Sequence, residues 1–194
     1  MIDKNNITGI ILAGGKSSRM GLDKGLLRLN GSTFISHIIE AVKPIVNNII
    51  IVSNNPEYDA FGYKRVNDLI ENSGPLAGLY SGLYHSKTEN NFVLSCDVPL
   101  IKTFVLEQLI NFDNENFDVV QLQSQSKTMP LIALYKKQCL HKCLELLDNN
   151  EKRLRIAVAQ LNTKTINNDS EWGQYVKNIN TTRQFNALKH ELKH

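Results

Sequence analysis

Apolar runs alternate with amphipathic segments along most of this chain, the pattern of a mostly parallel sheet covered by helices. The first run, Ile7–Ala13, is apolar at nearly every position and reads as a buried strand. Gly25–Leu29 reads as a short extended piece ending at the turn Asn30-Gly31. Thr33–Val42 places Phe34, Ile35, Ile38, Ile39 and Val42 at helical spacing, and Pro44 marks its end. Asn48–Ser53 is a second buried strand and Tyr63–Asn67 a shorter third. A loop from Asp68 to Pro75 opens a helix reaching about Ser86, with Leu76, Leu79 and Leu83 on one face. Asn91–Ser95 is another strand, ending at Cys96-Asp97-Val98-Pro99. Thr103–Asn111 is helical, and Val119–Gln123 and Leu131–Tyr135 are strands able to pair. Gln138–Leu147 and Arg153–Leu161 are helices, Thr163–Ile166 a late strand, and Thr182–Leu192 a closing helix. No repeat or long linker interrupts the pattern, so one α/β domain over residues 1–194 is expected.

Composition narrows the class. The 194 residues, 42% of them hydrophobic, supply one substantial core. The net charge of +3 is small and the basic residues are spread along the chain, which argues against a nucleic-acid binder. No apolar run approaches the roughly 20 residues needed to span a bilayer. Met1–Asn6 is polar and lacks a signal-peptide pattern, so a cytoplasmic protein without membrane association is expected. Three cysteines, an odd count, argue against a disulfide framework. Cys139 and Cys143 lack a second ligand pair and read as structural rather than zinc-binding.

Chemistry concentrates just after the first strand, in Leu12-Ala13-Gly14-Gly15-Lys16-Ser17-Ser18-Arg19-Met20-Gly21, followed by Asp23-Lys24. A glycine-rich turn at a strand end lets backbone N–H groups approach a polyanion. Lys16, Arg19 and Lys24 add positive charge there, so phosphate is the natural guest. The segment is not a P-loop, which needs a glycine where Ile10 stands, nor a Gly-x-Gly-x-x-Gly dinucleotide turn. It resembles the signature loop of nucleotidyltransferases, which join a nucleoside triphosphate to a phosphorylated acceptor and release pyrophosphate. A second candidate is Asp97. An aspartate at a strand end, taken alone, is a cap or turn residue. If its strand runs parallel to the first, however, Asp97 faces the same phosphates, and Mg²⁺ between them turns repulsion into coordination. Asp68 is a third: its carboxylate can accept two hydrogen bonds from the N1–H and N2–H₂ groups of a guanine, although aspartate also favours ordinary turns.

The wider set of motifs resembles one family. Ile11-Leu12-Ala13-Gly14-Gly15, Arg19-Met20-Gly21, Asp23-Lys24-Gly25-Leu26-Leu27, Asn30-Gly31, Gly74-Pro75-Leu76-Ala77-Gly78-Leu79, Cys96-Asp97-Val98-Pro99 and Asn178-Ile179-Asn180-Thr181 occur in the order seen in molybdenum cofactor guanylyltransferases. The resemblance implies a Rossmann-like, mostly parallel sheet with helices on both faces, of the nucleotide-diphospho-sugar transferase type. It implies transfer of GMP from Mg-GTP to the terminal phosphate of molybdenum-bearing molybdopterin, with pyrophosphate as co-product. By position, Leu12, Ala13, Gly14 and Gly15 would hold GTP, Lys24 would contact its phosphates with Arg19 nearby, and Asp68 would read the nucleoside. Asp97 would bind both Mg²⁺ and nucleotide, and Asn178 and Asn180 would lie on the acceptor side. The family often has Asn straight after its second main strand; here that place is Val52, so nucleoside contacts would use its backbone or shift to Asn54. Met129-Pro130 stands where the family tends to show His-Pro.

The implied chemistry is in-line attack by the acceptor phosphate on the α-phosphorus. A phosphate nucleophile needs no general base, which suits the lack of histidine in these motifs. The implied partners are GTP, molybdenum-molybdopterin and, transiently, molybdenum insertion proteins and apo-molybdoenzymes; a monomer is expected. Two alternatives remain: a relative using CTP or another phosphorylated acceptor, and a non-catalytic GTP-binding assembly factor.

Overall fold

The computed structural model describes residues 6–14, 23–112, 116–167 and 169–192. Its strands in chain order are β1 (Ile7–Leu12), β2 (Arg28–Leu29), β3 (Ser32–Thr33), β4 (Asn48–Val52), β5 (Lys64–Val66), β6 (Asn90–Ser95), β7 (Val119–Ser124), β8 (Lys127–Lys136) and β9 (Thr163–Asn167). Its helices are α1 (Phe34–Val42), α2 (Gly74–His85), α3 (Thr103–Phe112), α4 (Cys139–Asp148), α5 (Leu154–Ala159), α6 (Asp169–Trp172) and α7 (Thr182–Glu191). Seven strands form one sheet in the order β5-β4-β1-β6-β8-β7-β9. β8 runs antiparallel to β6 and β7, and the other neighbouring pairs run parallel.

The uninterrupted apolar run of β1 reflects burial on both faces. Ile7 and Ile11 pack with Ile35, Ile38 and Val42 of α1 and with Val105 and Leu106 of α3. Ile10, pointing the other way, packs with Leu76, Leu79 and Leu83 of α2 and with Cys139 and Cys143 of α4. Helices thus cover both faces, as the sequence pattern requires. α2 lies so close to β1 that a Cβ on Gly82 would stand 2.3 Å from Ile10 Cγ2. A third cluster joins Leu29 and Phe34 to Ile179, Phe185 and Leu188. There the Phe34 and Phe185 rings meet edge-on at 5.5 Å, which docks α7 beside the β2–β3 hairpin. Thr181 and Gln184 cap α7 reciprocally and set where it begins.

Two local readings need correction. The stretch expected to be extended over Gly25–Leu29 instead begins with a 3-10 turn, Lys24–Leu26, capped by the Asp23 side chain. Only Arg28 and Leu29 are strand, joined to β3 through Asn30 and Gly31 with φ of 50° and 88°, as a tight hairpin turn requires. The strand expected at Leu131 starts at Lys127, so Met129-Pro130 lies inside β8 rather than before it. The β7–β8 register shifts between Gln121 and Leu122, and Pro130 falls within that irregularity, where no ladder bond is demanded of it. No described helix is long and apolar enough to cross a membrane.

The chain moves outward from β1 to β4 and β5, then returns through α2 to pair β6 on the other side of β1. Strand order therefore reverses between β1 and β6. In open α/β sheets the crevice outside the carboxyl ends of such strands is where ligands bind.

Candidate active site

β1 and β6 are parallel, with Leu12 opposite Ser95, so Gly14 and Asp97 leave the sheet along the same edge. Backbone bonds extend the ladder past the strand ends. Cys96 N–H donates to the Leu12 carbonyl at 3.1 Å, Ala13 N–H to the Val52 carbonyl at 2.9 Å and Ser53 N–H to the Val66 carbonyl at 2.9 Å. The Leu12 and Val52 carbonyls and the Ala13 N–H are thereby occupied within the sheet. Val52 is also buried, whereas Asn54 is exposed and its Oδ1 accepts from Asp68 N–H at 3.0 Å. Gly14 is exposed, with a φ of 140° that side-chain-bearing residues rarely adopt. Gly15 and Arg19 lie outside the described residues.

Lys24 projects from the 3-10 turn, and its Nζ donates to Asn180 Oδ1 at 2.7 Å, across 156 positions of sequence. Asp97 is gripped from the same segment. Its carbonyl accepts from Ile179 N–H at 2.8 Å and its Oδ2 from Asn178 Nδ2 at 3.0 Å. The other carboxylate oxygen, Oδ1, is buried with no hydrogen-bond partner among the described residues. Residues 178–180 therefore form a strap that touches both charged groups, held in place by Ile179 in the α7 cluster. The neighbouring Cys96 thiol is pushed up to about 12 by burial and then by the Asp97 carboxylate, with a Gly14 backbone hydrogen bond opposing; it stays protonated.

Asp68 sits against the first turns of α2. A Cβ on Gly78 would crowd Leu12 Cδ1 at 3.3 Å and stand in ordinary contact with Asp68 Oδ1 at 3.7 Å, so α2, the end of β1 and this carboxylate lie side by side. Burial raises the Asp68 pKa.

On the far side of Asp97 a cleft of about 890 Å³ opens between β8, α5 and the chain from Gly173 to Glu191. Met129, Pro130, Leu131 and Ile156 give it an apolar floor, and Lys127, Arg153, Arg155 and Lys177 line it as well. Sequence reasoning singled out none of these cations. They are scattered over three elements, and the only local signal is the pair of arginines opening α5. It also missed the cluster of Asp23, Asn55 and Tyr58 behind Lys24, although Asp23 stood inside a motif. Asn178, Asn180, Lys24 and Asp97, named from the sequence, do converge.

A family model, the MobA-like NTP transferase domain, matches residues 9–164. A probable molybdenum cofactor guanylyltransferase of Flavobacterium johnsoniae is 38% identical over 96% of this chain and 98% of its own. A molybdenum cofactor guanylyltransferase of Vibrio campbellii is 30% identical over 95% of each chain. Among solved structures, an Aquifex aeolicus protein superposes with a TM-score of 0.79 at 31% identity, covering 92% of this chain and 95% of that one. The molybdopterin-guanine dinucleotide biosynthesis protein A of Archaeoglobus fulgidus shares the fold, with a TM-score of 0.81 at 19% identity over 96% of this chain and 98% of that one. With Gly14, the strand-end Asp97 and the strap gathered at one edge of the sheet, this chain belongs to the MobA-like NTP transferase family, alongside the molybdenum cofactor guanylyltransferases.

Proposed function

We propose that this enzyme transfers GMP from GTP to the terminal phosphate of molybdenum-molybdopterin, forming the guanine dinucleotide cofactor and releasing pyrophosphate. The observation that carries the reading is the meeting of Lys24 and Asp97 at one crevice, each held by the strap of residues 178–180. GTP lies along the Leu12–Gly14 edge with its base toward Asp68 and Asn54. Asp68, when charged, accepts from the two donors on the guanine edge, and a cytosine offers no such pair.

The acceptor phosphate and the α-phosphate are both anionic, so neutralising charge is the main task. Lys24 stabilises the negative charge that builds on the leaving pyrophosphate, with Arg19 as a second cation from the loop. Among the described residues, no group of three or more His, Cys, Asp or Glu is arranged for a metal. A divalent ion here would share its ligands with phosphate oxygens, as Mg²⁺ does when held by one or two carboxylates. The buried, unpartnered Oδ1 of Asp97 suits that use, and Mg²⁺ bound there supplies further charge neutralisation to the triphosphate. The 890 Å³ cleft, apolar below and cationic at Lys127, Arg153, Arg155 and Lys177, has the size and chemistry for a flat pterin ending in a phosphate. Asn178 and Asn180 stand between cleft and crevice, where they orient the attacking phosphate. Hand-over of the product to insertion proteins or apo-enzymes, from a monomer, is carried into this proposal from the resemblance to the family.

The test is pyrophosphate release with molybdenum-molybdopterin present, comparing GTP with CTP, ATP and UTP at matched Mg²⁺. Release that depends on acceptor and prefers GTP is expected. Preference for CTP, or GTP binding with no release, overturns the proposal.

A further inference from the structure

Behind Lys24 lies a hydrogen-bonded cluster of Asp23, Asn55 and Tyr58. Asp23 Oδ1 accepts from Gly25 N–H at 3.1 Å and from the Tyr58 hydroxyl, and Asp23 Oδ2 accepts from Asn55 Nδ2 at 3.2 Å. Tyr58 comes from the 3-10 helix Pro56–Phe61 in the β4–β5 crossover and is completely buried. Burial, then the hydrogen bond to Asp23, pushes its pKa far above that of an ordinary phenol, so the hydroxyl remains a donor. Gly25 is buried against it, and a Cβ there would stand 2.2 Å from the Tyr58 oxygen. The residue after Lys24 must therefore be glycine for Tyr58 to reach Asp23.

The cluster extends to the other end of the glycine-rich loop. Asn55 N–H donates to Ser53 Oγ at 3.1 Å. Ser53 Oγ in turn lies 3.4 Å from where a Cβ on Gly14 would stand. Gly14 and Asp23, the described residues on either side of residues 15–22, thus both lie beside residues 53–58, Asp23 bonded to them and Gly14 next to Ser53. A carboxylate next to Lys24 would otherwise pair with its ammonium or repel a triphosphate. Three donors spread over its two oxygens tie it down instead, and the lysine, an intrinsically flexible chain, starts from a fixed backbone.

We infer that Asp23 and Tyr58 are positioning residues for the transfer reaction: they lock the turn bearing Lys24 and act through that lysine without touching substrate. The inference rests on the guanylyl-transfer reading. Tyr58→Phe removes one hydroxyl and keeps the ring. It should lower single-turnover kcat/KM for GMP transfer about tenfold, the size of one buried hydrogen bond lost. In a Lys24→Ala background the same change should cost less than about twofold, because the residue it serves is gone. The same non-additivity should appear in GTP affinity measured by calorimetry, a readout independent of turnover. Gly25→Ala should also impair transfer, and adding Tyr58→Phe should restore it to the level of Tyr58→Phe alone. Additive losses in both cycles, unchanged transfer in Tyr58→Phe, or no rescue of Gly25→Ala would each overturn the inference. Wild-type enzyme that releases no pyrophosphate would overturn the underlying reading instead, so the two failures are told apart.

Discussion

The two sides of the crevice are built by different means. The proposed nucleotide side is built at the carboxyl ends of β1, β4 and β5, with a glycine of φ 140° leaving β1. The proposed acceptor side is made of side chains gathered from β8, α5 and the chain leading into α7. The ends of parallel strands stand in fixed places, and the crevice outside them suits a nucleotide common to many reactions. Side chains on separate elements can be exchanged one at a time and suit a particular acceptor. The strap of residues 178–180 joins the two, with Asn178 on Asp97 and Asn180 on Lys24.

The largest effects should fall where the sides meet. Asp97→Ala and Lys24→Ala should each reduce GMP transfer by roughly 10²–10³-fold, the usual loss for one preorganised charge contact, read by pyrophosphate release. Near-normal Mg²⁺-dependent turnover in Asp97→Ala would break the comparison at its centre.

Next comes the nucleotide side alone. Asp68→Asn should weaken GTP binding by about 10–100-fold, the scale of a lost charge-assisted hydrogen bond, while CTP binding changes little. Because burial raises the Asp68 pKa, GTP affinity in the wild-type enzyme should decline on acidification at a higher pH than it would for a solvent-exposed aspartate, and calorimetry at several pH values would show it. A smaller effect is expected across the crevice. Arg155→Ala should raise KM for the acceptor by about fivefold, the order of an exposed charge contact, without moving GTP affinity. If GTP affinity moved as much as acceptor KM, the division into two sides would fail.

The smallest effect concerns stability. The folded protein holds the Asp68 proton to higher pH than the unfolded chain does. That contribution is present below the unfolded carboxylate pKa and is lost as pH rises through the raised folded value. Asp68→Asn should therefore melt slightly above wild type at neutral pH, and the gap should close in acid. A lower melting point at neutral pH would show that the charged carboxylate is stabilising.

Sequence reading did well where structure is local. The position of β1, the face of α1, the hairpin turn at Asn30-Gly31 and the run of β6 into Asp97 all follow from periodicity and turn chemistry within a few residues. It failed at Lys24–Leu26, where the Asp23 side chain winds an apparently extended segment into a turn. It also placed the start of β8 too late, because Pro130 looks like a strand boundary until the register shift opposite it is known.

By itself, then, the sequence determined the alternation of strand and helix, the glycine that leaves β1 and the carboxylate at the end of β6. Each is a property of contiguous residues, expressed through spacing and backbone freedom. The tertiary structure alone decided that Asn178 and Asn180 bracket Asp97 and Lys24, that Tyr58 stands behind Gly25, and that four cations line one cleft. Those contacts join side chains as far as 156 positions apart, and they exist only because α7 packs against the hairpin and the β4–β5 crossover folds back under Lys24.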